Sequence, residues 1–366
     1  MKKTVQSLFR SNNFFIYLTC FLLCFLFVLF IPKVNGEESM LANLNVTIDK
    51  QSFQTSYIKK DGHILVPALF LKHSGVFVDW EELHHSVLIS SQKDQKIALP
   101  IGEKYYYELN PKKDFWSKID LPTTSTDYEG SPYIPIVPIL EKFGMDVKLD
   151  SDEKTLNIKT PYENDYQSFY KGSTNQKRVA LTFDDGPENH YTPEILRILK
   201  DKKVPATFFV VGSQVEKHTE MLRQIAREGH TIGNHTWDHP NLIKKWSREV
   251  KEEIIKTQNM ITDTVGSHSS LFRAPYGSIT KADLITLHEL GLHNILWSVD
   301  TLDWSGHSAK EILSVVHKQI SPGGIILQHN FQSEEHLLDG TIEALPKIID
   351  DLQQQGYTFV TVDDLM

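Results

Sequence analysis

Val179-Ala-Leu-Thr-Phe-Asp-Asp-Gly-Pro187 is an apolar run that ends in two adjacent carboxylates and a Gly-Pro pair. Apolar residues followed directly by turn residues predict a buried strand, so Asp184 and Asp185 lie at the carboxyl end of that strand. Their side chains diverge there. One carboxylate can therefore bind a cation while the other takes a proton from water. Taken alone, the stretch is equally compatible with an ordinary Asp-Gly turn.

From this strand to the end of the chain, short apolar runs alternate with longer helical patterns. Continuous apolar strands separated by helices predict a parallel sheet in an α/β fold, a (β/α) barrel or a distorted version of one. Active sites of such folds lie where the strands end and the loops begin. The predicted strands are 179–183, 206–211, 230–233, 271–273, 295–299, 324–328 and 357–360, and the predicted helices are 192–200, 216–228, 247–264, 281–290, 309–320 and 341–355.

His235-Thr-Trp-Asp-His239 follows the third predicted strand and places two imidazoles four residues apart. If the segment turns helically, both rings face the same way, and an Asp carboxylate completes a three-ligand metal site with one open position. In zinc proteases a Glu directly follows the first His and acts as the base. Here Thr236 stands in that position, so the base must come from elsewhere. Asp184 is the candidate base and Asp185 the candidate third ligand. With 16 histidines in the chain, this spacing is informative only together with the strand-end carboxylate.

Three further segments place polar residues at predicted strand ends. In Phe272-Arg-Ala-Pro-Tyr-Gly277, Arg273 can pair with Asp184, and the turn at Pro275-Tyr276 offers a backbone N–H to a developing oxyanion. In Val299-Asp-Thr-Leu-Asp-Trp304 and Ile326-Leu-Gln-His329, Asp303 can orient His329, which then serves as the general acid. Trp304 and Leu327 offer apolar surface for a methyl group. Two other interpretations stay open: Trp304 as a core aromatic, and Asp300 as a loop cap.

The N-terminal segment 1–36 predicts export. An apolar run from Phe14 to Ile31 follows Lys2, Lys3 and Arg10, and it is long enough to span a bilayer. Its length favours an uncleaved anchor over a cleaved signal peptide. Both cysteines lie inside this run, so the rest of the chain forms no disulfide. The formal net charge of −9 argues against a nucleic-acid partner.

Residues 37–160 predict a smaller β-rich α+β domain, and the polar residues 161–176 predict a linker. The front region contains a faint repeat of strand, short helix and hairpin, first from Val66-Pro67 and again from Ile134-Pro135. It resembles the copper amine oxidase N-terminal-like domain, a non-catalytic module. No copper site is expected, because His84 and His85 would point to opposite faces of a strand. We expect a stalk that spaces the catalytic domain from the membrane, with glycan or partner binding as the alternative.

Residues 177–366 resemble the polysaccharide deacetylase family, the NodB homology domain of carbohydrate esterase family four. Its five motifs occur in order, at Thr182–Asp185, His235–His239, Arg273–Tyr276, Asp300–Trp304 and Leu327–His329. Five ordered motifs are specific where a single one is not. The resemblance implies a divalent metal, usually zinc, with Asp185, His235 and His239 as ligands. It further implies Asp184 as base oriented by Arg273, His329 as acid oriented by Asp303, and the Tyr276 amide at the oxyanion.

The expected function is removal of N-acetyl groups from amino sugars of a cell-envelope polysaccharide, most simply peptidoglycan N-acetylglucosamine or N-acetylmuramic acid. Cobalt, nickel or manganese can replace zinc on such ligands. The protein is expected to be a monomer, extracytoplasmic in a bacterium, and either anchored in the membrane or secreted to the wall. Two alternatives remain: an O-acetyl esterase on the same fold, and an inactive glycan-binding protein.

Overall fold

A computed structural model describes residues 41–150, 154–161, 166–334 and 336–366. The predicted export segment 1–36 and part of the predicted linker lie outside the described residues. Within the described ranges, no helix combines the length and the apolar character that a membrane crossing requires.

The front region forms two β-sheets around one apolar core, as the α+β prediction required. Strands β1, β2, β3 and β9 to β12 form a seven-stranded sheet, and β4 to β8 form a five-stranded antiparallel sheet. The strands are β1 Ala42–Ile48, β2 Gln51–Lys60, β3 His63–Pro67, β4 Phe77–Glu81, β5 Ser86–Ser90, β6 Lys96–Pro100, β7 Tyr105–Asn110, β8 Phe115–Asp120, β9 Thr126–Tyr128, β10 Ser131–Pro135, β11 Asp146–Leu149 and β12 Thr155–Lys159. A 3₁₀ helix covers Ala68–Ser74, and helix α1 covers Ile136–Lys142.

The internal repeat predicted from the sequence is present in the structure. The first copy runs through β3, the 3₁₀ helix and the β4–β5 hairpin, and the second through β10, α1 and the β11–β12 hairpin. The two copies pair through β3 and β10, which are antiparallel with Ile134 opposite Val66. Both residues are fully buried. The repeat therefore exists because each half-unit completes the core of the other.

The catalytic region is an eight-stranded sheet with parallel pairing between its neighbours, which confirms the predicted α/β class. The strand order is β17-β16-β15-β14-β13-β19-β18, and β20 also pairs with β13. The strands are β13 Arg178–Asp184, β14 Thr207–Val210, β15 Thr231–Asn234, β16 Leu271–Phe272, β17 His293–Asn294, β18 Val299–Asp300, β19 Gly324–His329 and β20 Thr358–Phe359. The helices are α2 Tyr191–Lys202, α3 Gly212–Lys217, α4 Thr219–Arg227, α5 Ser247–Val265, α6 Lys281–Glu289, α7 Ala309–Gln319, α8 Asp339–Gln354 and α9 Val362–Leu365.

Two predicted elements differ from the structure. The helix expected over 216–228 is divided into α3 and α4 at His218, whose φ of −131° and ψ of 45° are not helical. The prediction of a strand over 295–299 was also wrong for most of that range. Residue Ile295 instead makes an isolated bridge to Phe169, and strand β18 begins only at Val299.

Part of the segment predicted as a linker packs along the catalytic sheet. The amide of Phe169 donates to the carbonyl of Asn294, and the amide of Leu296 donates to the carbonyl of Phe169, both over 2.8 Å. Further on, the amide of Gly172 donates to the carbonyl of Gly323. Phe169 and Gly172 of this segment are therefore tied to the sheet by backbone hydrogen bonds.

Candidate metal centre and active site

Three side chains at the carboxyl edge of the sheet converge as the sequence predicted. Asp185 follows β13, His235 follows β15, and His239 lies four residues further on. Oδ1 of Asp185 lies 3.4 Å from Nε2 of His235 and 3.3 Å from Nε2 of His239. One ligand atom from each of the three residues lies within 4.8 Å of the other two. Two imidazole nitrogens and one carboxylate oxygen form a donor set that suits a divalent metal ion.

The surroundings of these three residues fit a bound cation. Oδ1 of Asp185 is buried and has no hydrogen-bond partner among the described residues. Such an oxygen is costly unless a partner satisfies it, and a cation would do so. Nδ1 of His235 lies 2.7 Å from the carbonyl oxygen of Arg273. If Nδ1 carries the proton and donates to that carbonyl, the Nε2 lone pair is directed at the site.

Two of the three candidate ligands, Asp185 and His239, are in the protonation state that metal binding requires. Burial, together with the charge of nearby His235, lowers the pKa of His239 to about 4, so this imidazole is neutral at pH 7. Burial by itself would raise the pKa of Asp185, but the neighbouring His235, His329 and His239 lower it to about 2. A neutral imidazole and an ionised carboxylate are the ligand forms.

The loop that carries the two histidines is not helical, so the expected helical turn was wrong. Thr236 and His239 have φ values of 68° and 56°, in the left-handed region. The amide of Thr236 donates to Oδ1 of Asn234 over 2.9 Å, and the amide of His239 donates to Oγ1 of Thr236 over 3.1 Å. Side-chain hydrogen bonds to the backbone replace the helical pattern here. The rings still meet, with centroids 4.8 Å apart.

Glu253 on α5 holds the middle of the same loop, and sequence analysis did not find it. Its Oε2 accepts hydrogen bonds from the amides of Trp237 and Asp238 over 2.8 and 3.0 Å. Both amides lie between the two histidines. In the sequence, Glu253 is one of several charged residues in an amphipathic helical pattern, so no local signal distinguishes it.

The candidate base Asp184 is held by Arg273, as the sequence predicted. Arg273 is fully buried, and its Nη1 donates to Oδ1 of Asp184 over 2.7 Å and to Oγ1 of Thr182 over 2.8 Å. Its Nε and Nη2 donate to the carbonyls of Ile295 and Leu296. These last two bonds explain why the predicted strand over 295–299 is interrupted. Oδ2 of Asp184 lies 3.8 Å from Nε2 of His235, beside the ligand cluster.

The candidate acid His329 faces Asp184 across neighbouring strands, because the two are register partners in the β13–β19 pair. Nδ1 of His329 lies 2.7 Å from Oδ1 of Asp303. The other oxygen of Asp303 accepts from the His329 amide and from Oγ1 of Thr341, each over 2.8 Å. Burial alone would lower the pKa of His329, but the charge and hydrogen bond of Asp303 raise it to about 9. The imidazole is therefore protonated at pH 7.

A cavity of about 470 Å³ opens over these groups. Trp304 lies on its wall with 48% of its surface exposed, so it is not a core aromatic, and the buried Leu327 lies on the wall as well. Asp300 both lines the cavity and accepts from the amide of Leu302 over 3.0 Å, so it also caps its loop. The lining residues are Asp184, Asp185, His235, His239, Ala274, Tyr276, Trp297, Asp300, Trp304, Leu327, His329 and Gln332.

Tyr276 projects from the loop after β16 with 66% of its surface exposed and a φ of 59°. Its ring centroid lies 4.8 Å from that of His239. Tyr276 lines the cavity, and its backbone amide stays the predicted oxyanion donor. Trp297 and Gln332 also line the cavity, and sequence analysis did not single them out. Each lies close to a motif without belonging to one.

Two family profiles match the chain. Residues 171–295 match "Polysaccharide deacetylase", and residues 45–160 match "Copper amine oxidase N-terminal domain". These matches confirm both family resemblances drawn from the sequence.

Among characterised relatives, a peptidoglycan-N-acetylglucosamine deacetylase of Bacillus cereus is 39% identical over 220 residues, which cover 60% of this chain and 79% of the relative. PgdA, the corresponding enzyme of Listeria monocytogenes, is 36% identical over 251 residues, which cover 68% of this chain and 51% of PgdA. The chain thus spans about half the length of PgdA. The peptidoglycan-N-acetylmuramic acid deacetylase PdaA of Bacillus subtilis is 37% identical over 55% of this chain and 76% of PdaA.

Two solved structures also resemble this chain in sequence and fold. A peptidoglycan N-acetylglucosamine deacetylase crystallised with 4-naphthalen-1-yl-N-oxidanyl-benzamide is 41% identical, covers 55% of this chain and 93% of its own, and has a TM-score of 0.54. A pseudoenzyme of carbohydrate esterase family four from Bacillus anthracis is 30% identical, covers 60% of this chain and 76% of its own, and has a TM-score of 0.52. The fold alone therefore does not guarantee catalysis. Similarity over most of the first relative's length, together with the five motifs, means that this chain belongs to the polysaccharide deacetylase family.

Proposed function

We propose that this chain hydrolyses N-acetyl groups of amino sugars in cell-wall peptidoglycan, leaving a free amine and releasing acetate. One arrangement carries the proposal. Three candidate metal ligands cluster beside Asp184, which is not one of them, and Asp184 and His329 line the same cavity. A protein that only binds glycans needs neither a free base nor a proton donor. The pseudoenzyme relative is the reason for testing catalysis directly.

The ligands Asp185, His235 and His239 would hold a divalent ion, with zinc as the first choice and cobalt, nickel or manganese as alternatives. Such an ion supplies Lewis acidity, which activates water and polarises an acetyl carbonyl. The chain's own contribution is to set the two protonation states: the neighbouring imidazoles keep Asp185 ionised, and burial keeps His239 neutral.

Asp184 would accept the proton from the attacking water. Its Oδ1 is occupied by Arg273, so Oδ2 is the oxygen available for proton transfer. The buried guanidinium holds this carboxylate in place, with Oδ2 3.8 Å from Nε2 of His235 beside the ligand cluster. Asp184 can therefore act as a base while Asp185 serves as a ligand.

His329 would protonate the departing nitrogen. An amine is a poor leaving group unless it is protonated, and His329 carries a proton at neutral pH because Asp303 raises its pKa to about 9. With Nδ1 directed at Asp303, Nε2 is the nitrogen left to face the substrate. The backbone amide of Tyr276 would donate to the oxyanion. Trp304 and Leu327 would receive the methyl of the acetyl group.

We place this reaction outside the cytoplasm, at the bacterial cell wall. The apolar run from Phe14 to Ile31 with its positive flank supports export, and it would keep the protein at the membrane if left uncleaved. Peptidoglycan is the substrate named for all three relatives above, two for N-acetylglucosamine and one for N-acetylmuramic acid. Glucosamine is our first assignment, with the protein acting as a monomer.

The test is acetate release by the metal-loaded protein from three substrates: N-acetylglucosamine oligomers, peptidoglycan and O-acetylated xylan. We expect release from the first two, loss after chelation, and recovery on adding zinc or cobalt. Release from xylan alone would indicate an O-acetyl esterase. No release from any substrate with any divalent ion would indicate an inactive glycan-binding protein. Mass spectrometry of muropeptides from cells with and without the protein then identifies the deacetylated sugar.

A further inference from the structure

Lys72 of the front domain is fully buried, although it lies on the 3₁₀ helix Ala68–Ser74 outside the catalytic region. Its ammonium group has three partners, all in the catalytic domain. Nζ donates to the carbonyl of Leu242 over 3.0 Å and to the carbonyl of Lys245 over 2.9 Å, and it lies 2.9 Å from Oδ1 of Asp283. A buried ammonium is stable only when paired in this way, so these contacts fix their elements relative to one another.

Two of these partners bracket a short turn just after a predicted metal ligand. The 3₁₀ helix Leu242–Lys244 begins three residues after His239. Lys72 donates to the carbonyl of Leu242, the first residue of this helix, and to that of Lys245, the residue directly after the helix. The turn also has contacts of its own: the amide of Ile243 donates to Oδ1 of Asn241 over 3.3 Å, the amide of Lys245 donates to the carbonyl of Leu242 over 3.1 Å, and Leu242 is fully buried. Lys72 therefore adds a contact from the front domain at both ends of the turn that follows His239.

The third partner belongs to the helix after the Arg273–Tyr276 loop. Asp283 forms the capping box of α6, where its Oδ2 accepts from the amide and the hydroxyl of Thr280 over 3.0 and 2.7 Å. Its Oδ1 is the atom that faces Lys72. The ammonium group of Lys72 therefore joins two parts of the catalytic domain. One is the turn that follows the His235–His239 loop, and the other is the start of helix α6, which follows the Arg273–Tyr276 loop.

Two further contacts from the front domain hold the start of helix α5. Oδ1 of Asp79 accepts from the amide of Arg248, in the first turn of α5, over 2.7 Å. A carboxylate at a helix N-terminus accepts a hydrogen bond from an otherwise unpaired amide and interacts favourably with the positive end of the helix dipole. The amide of Val78 donates to Oγ of Ser247, at the start of the same helix. Helix α5 is the one whose Glu253 holds Trp237 and Asp238 between the two histidines.

We propose that Lys72 is a positioning residue for the metal site: the front domain, through this side chain, sets the placement of the His235–His239 loop. The inference rests on the proposed metal-dependent function. It gives the front domain a role that a spacer lacks, because a spacer needs no buried cation inside the catalytic domain. Contacts that orient a metal ligand from outside typically change metal affinity or activity by about 10- to 100-fold when removed.

The experiment compares Lys72→Met with Lys281→Met in the full chain. Lys281 also joins the two domains, through Asp49 and Thr160 at 2.9 Å each, and it lies on α6 with both of these partners in the front region. Zinc affinity is measured without substrate, by competition with a chromogenic chelator. We expect Lys72→Met to weaken zinc binding by about 10-fold or more and to lower kcat more than it changes KM. Lys281→Met should stay within about twofold of the parent, because it leaves the loop's supports in place.

Equal zinc affinities in the two variants would overturn the proposal, since Lys72 would then only join the domains. If Lys72→Met does not fold, Asp79→Ala replaces it as the test variant and Asp49→Ala is its control, because Asp79 contacts α5 whereas Asp49 contacts Lys281 and Thr160. Weaker zinc binding in Asp79→Ala than in Asp49→Ala supports the proposal, and equal zinc affinities overturn it. Because zinc binding is read without substrate, a parent chain that binds zinc but releases no acetate would refute the proposed function and not this inference.

Discussion

Nδ1 of His329 lies 2.7 Å from Oδ1 of Asp303, and this contact raises the pKa of the imidazole to about 9 despite its burial. If His329 is the general acid, activity requires its protonated form and falls as the pH rises through that pKa. Asp303→Asn removes the charge and so lowers the pKa of His329. We expect the alkaline limb of the kcat/KM profile to move to lower pH, with a lower maximal rate.

Thr341→Val is the control for this shift. It removes the hydroxyl that donates to Oδ2 of Asp303 and leaves the contact between Asp303 and His329 in place. The alkaline limb should move much less than in Asp303→Asn. An unchanged limb in Asp303→Asn would mean that another group limits the rate at high pH.

Asp184 and Asp185 are adjacent, yet their substitutions should have opposite signatures. Asp184→Asn should keep metal affinity and lower acetate release by about 100- to 10,000-fold, the usual contribution of a general base. Asp185→Asn should weaken metal binding by at least about tenfold, because it removes a ligand charge. Chelator competition and acetate assays on both variants separate the two roles. Parental acetate release by a folded, metal-loaded Asp184→Asn protein would refute the assignment.

The fold was predictable wherever the sequence pattern is local. The run from Val179 to Phe183 is apolar except for Thr182 because β13 is buried along that whole stretch, and the observed strand extends it by only one residue at each end. The break between α3 and α4 was not predictable, because His218 is neither Gly nor Pro and the helical pattern continues across it. The interruption at Ile295 depends on Arg273, which lies 22 residues earlier in the chain.

The candidate site was predictable because its groups follow strands, and parallel strands end at one edge. Asp185, His235 and His239 meet there as expected, although by a loop geometry that no spacing rule gives. Supporting residues outside the five motifs were not predictable. Lys72 is separated from Leu242 by 170 residues and Thr341 from Asp303 by 38, so those contacts exist only once the domains and helices are packed. In the sequence alone, both residues are indistinguishable from ordinary polar positions.

His329→Ala tests the acid by comparing two leaving groups. An amine must be protonated to depart, whereas the alcohol of an activated acetyl ester departs with much less assistance. We expect the variant to lose far more activity on N-acetylglucosamine oligomers than on 4-nitrophenyl acetate. Initial rates on both substrates, at equal metal occupancy, provide the measurement. Equal losses on the two substrates would argue that His329 acts on a step common to both.

Arg273→Met should destabilise the protein as well as inactivate it. The guanidinium is fully buried and pairs with Asp184, which is 3% exposed. Removing one partner of a buried pair leaves an uncompensated charge and typically costs about 3–5 kcal/mol in the free energy of unfolding. Arg197→Met is the matched control, because its pair with Asp201 is largely exposed and should contribute less than about 1 kcal/mol. Urea unfolding of both variants gives the comparison. The double variant Arg273→Met, Asp184→Asn should recover part of the loss, since it no longer buries a lone carboxylate. Equal destabilisation by Arg273→Met and Arg197→Met would show that the buried pair does not stabilise the site.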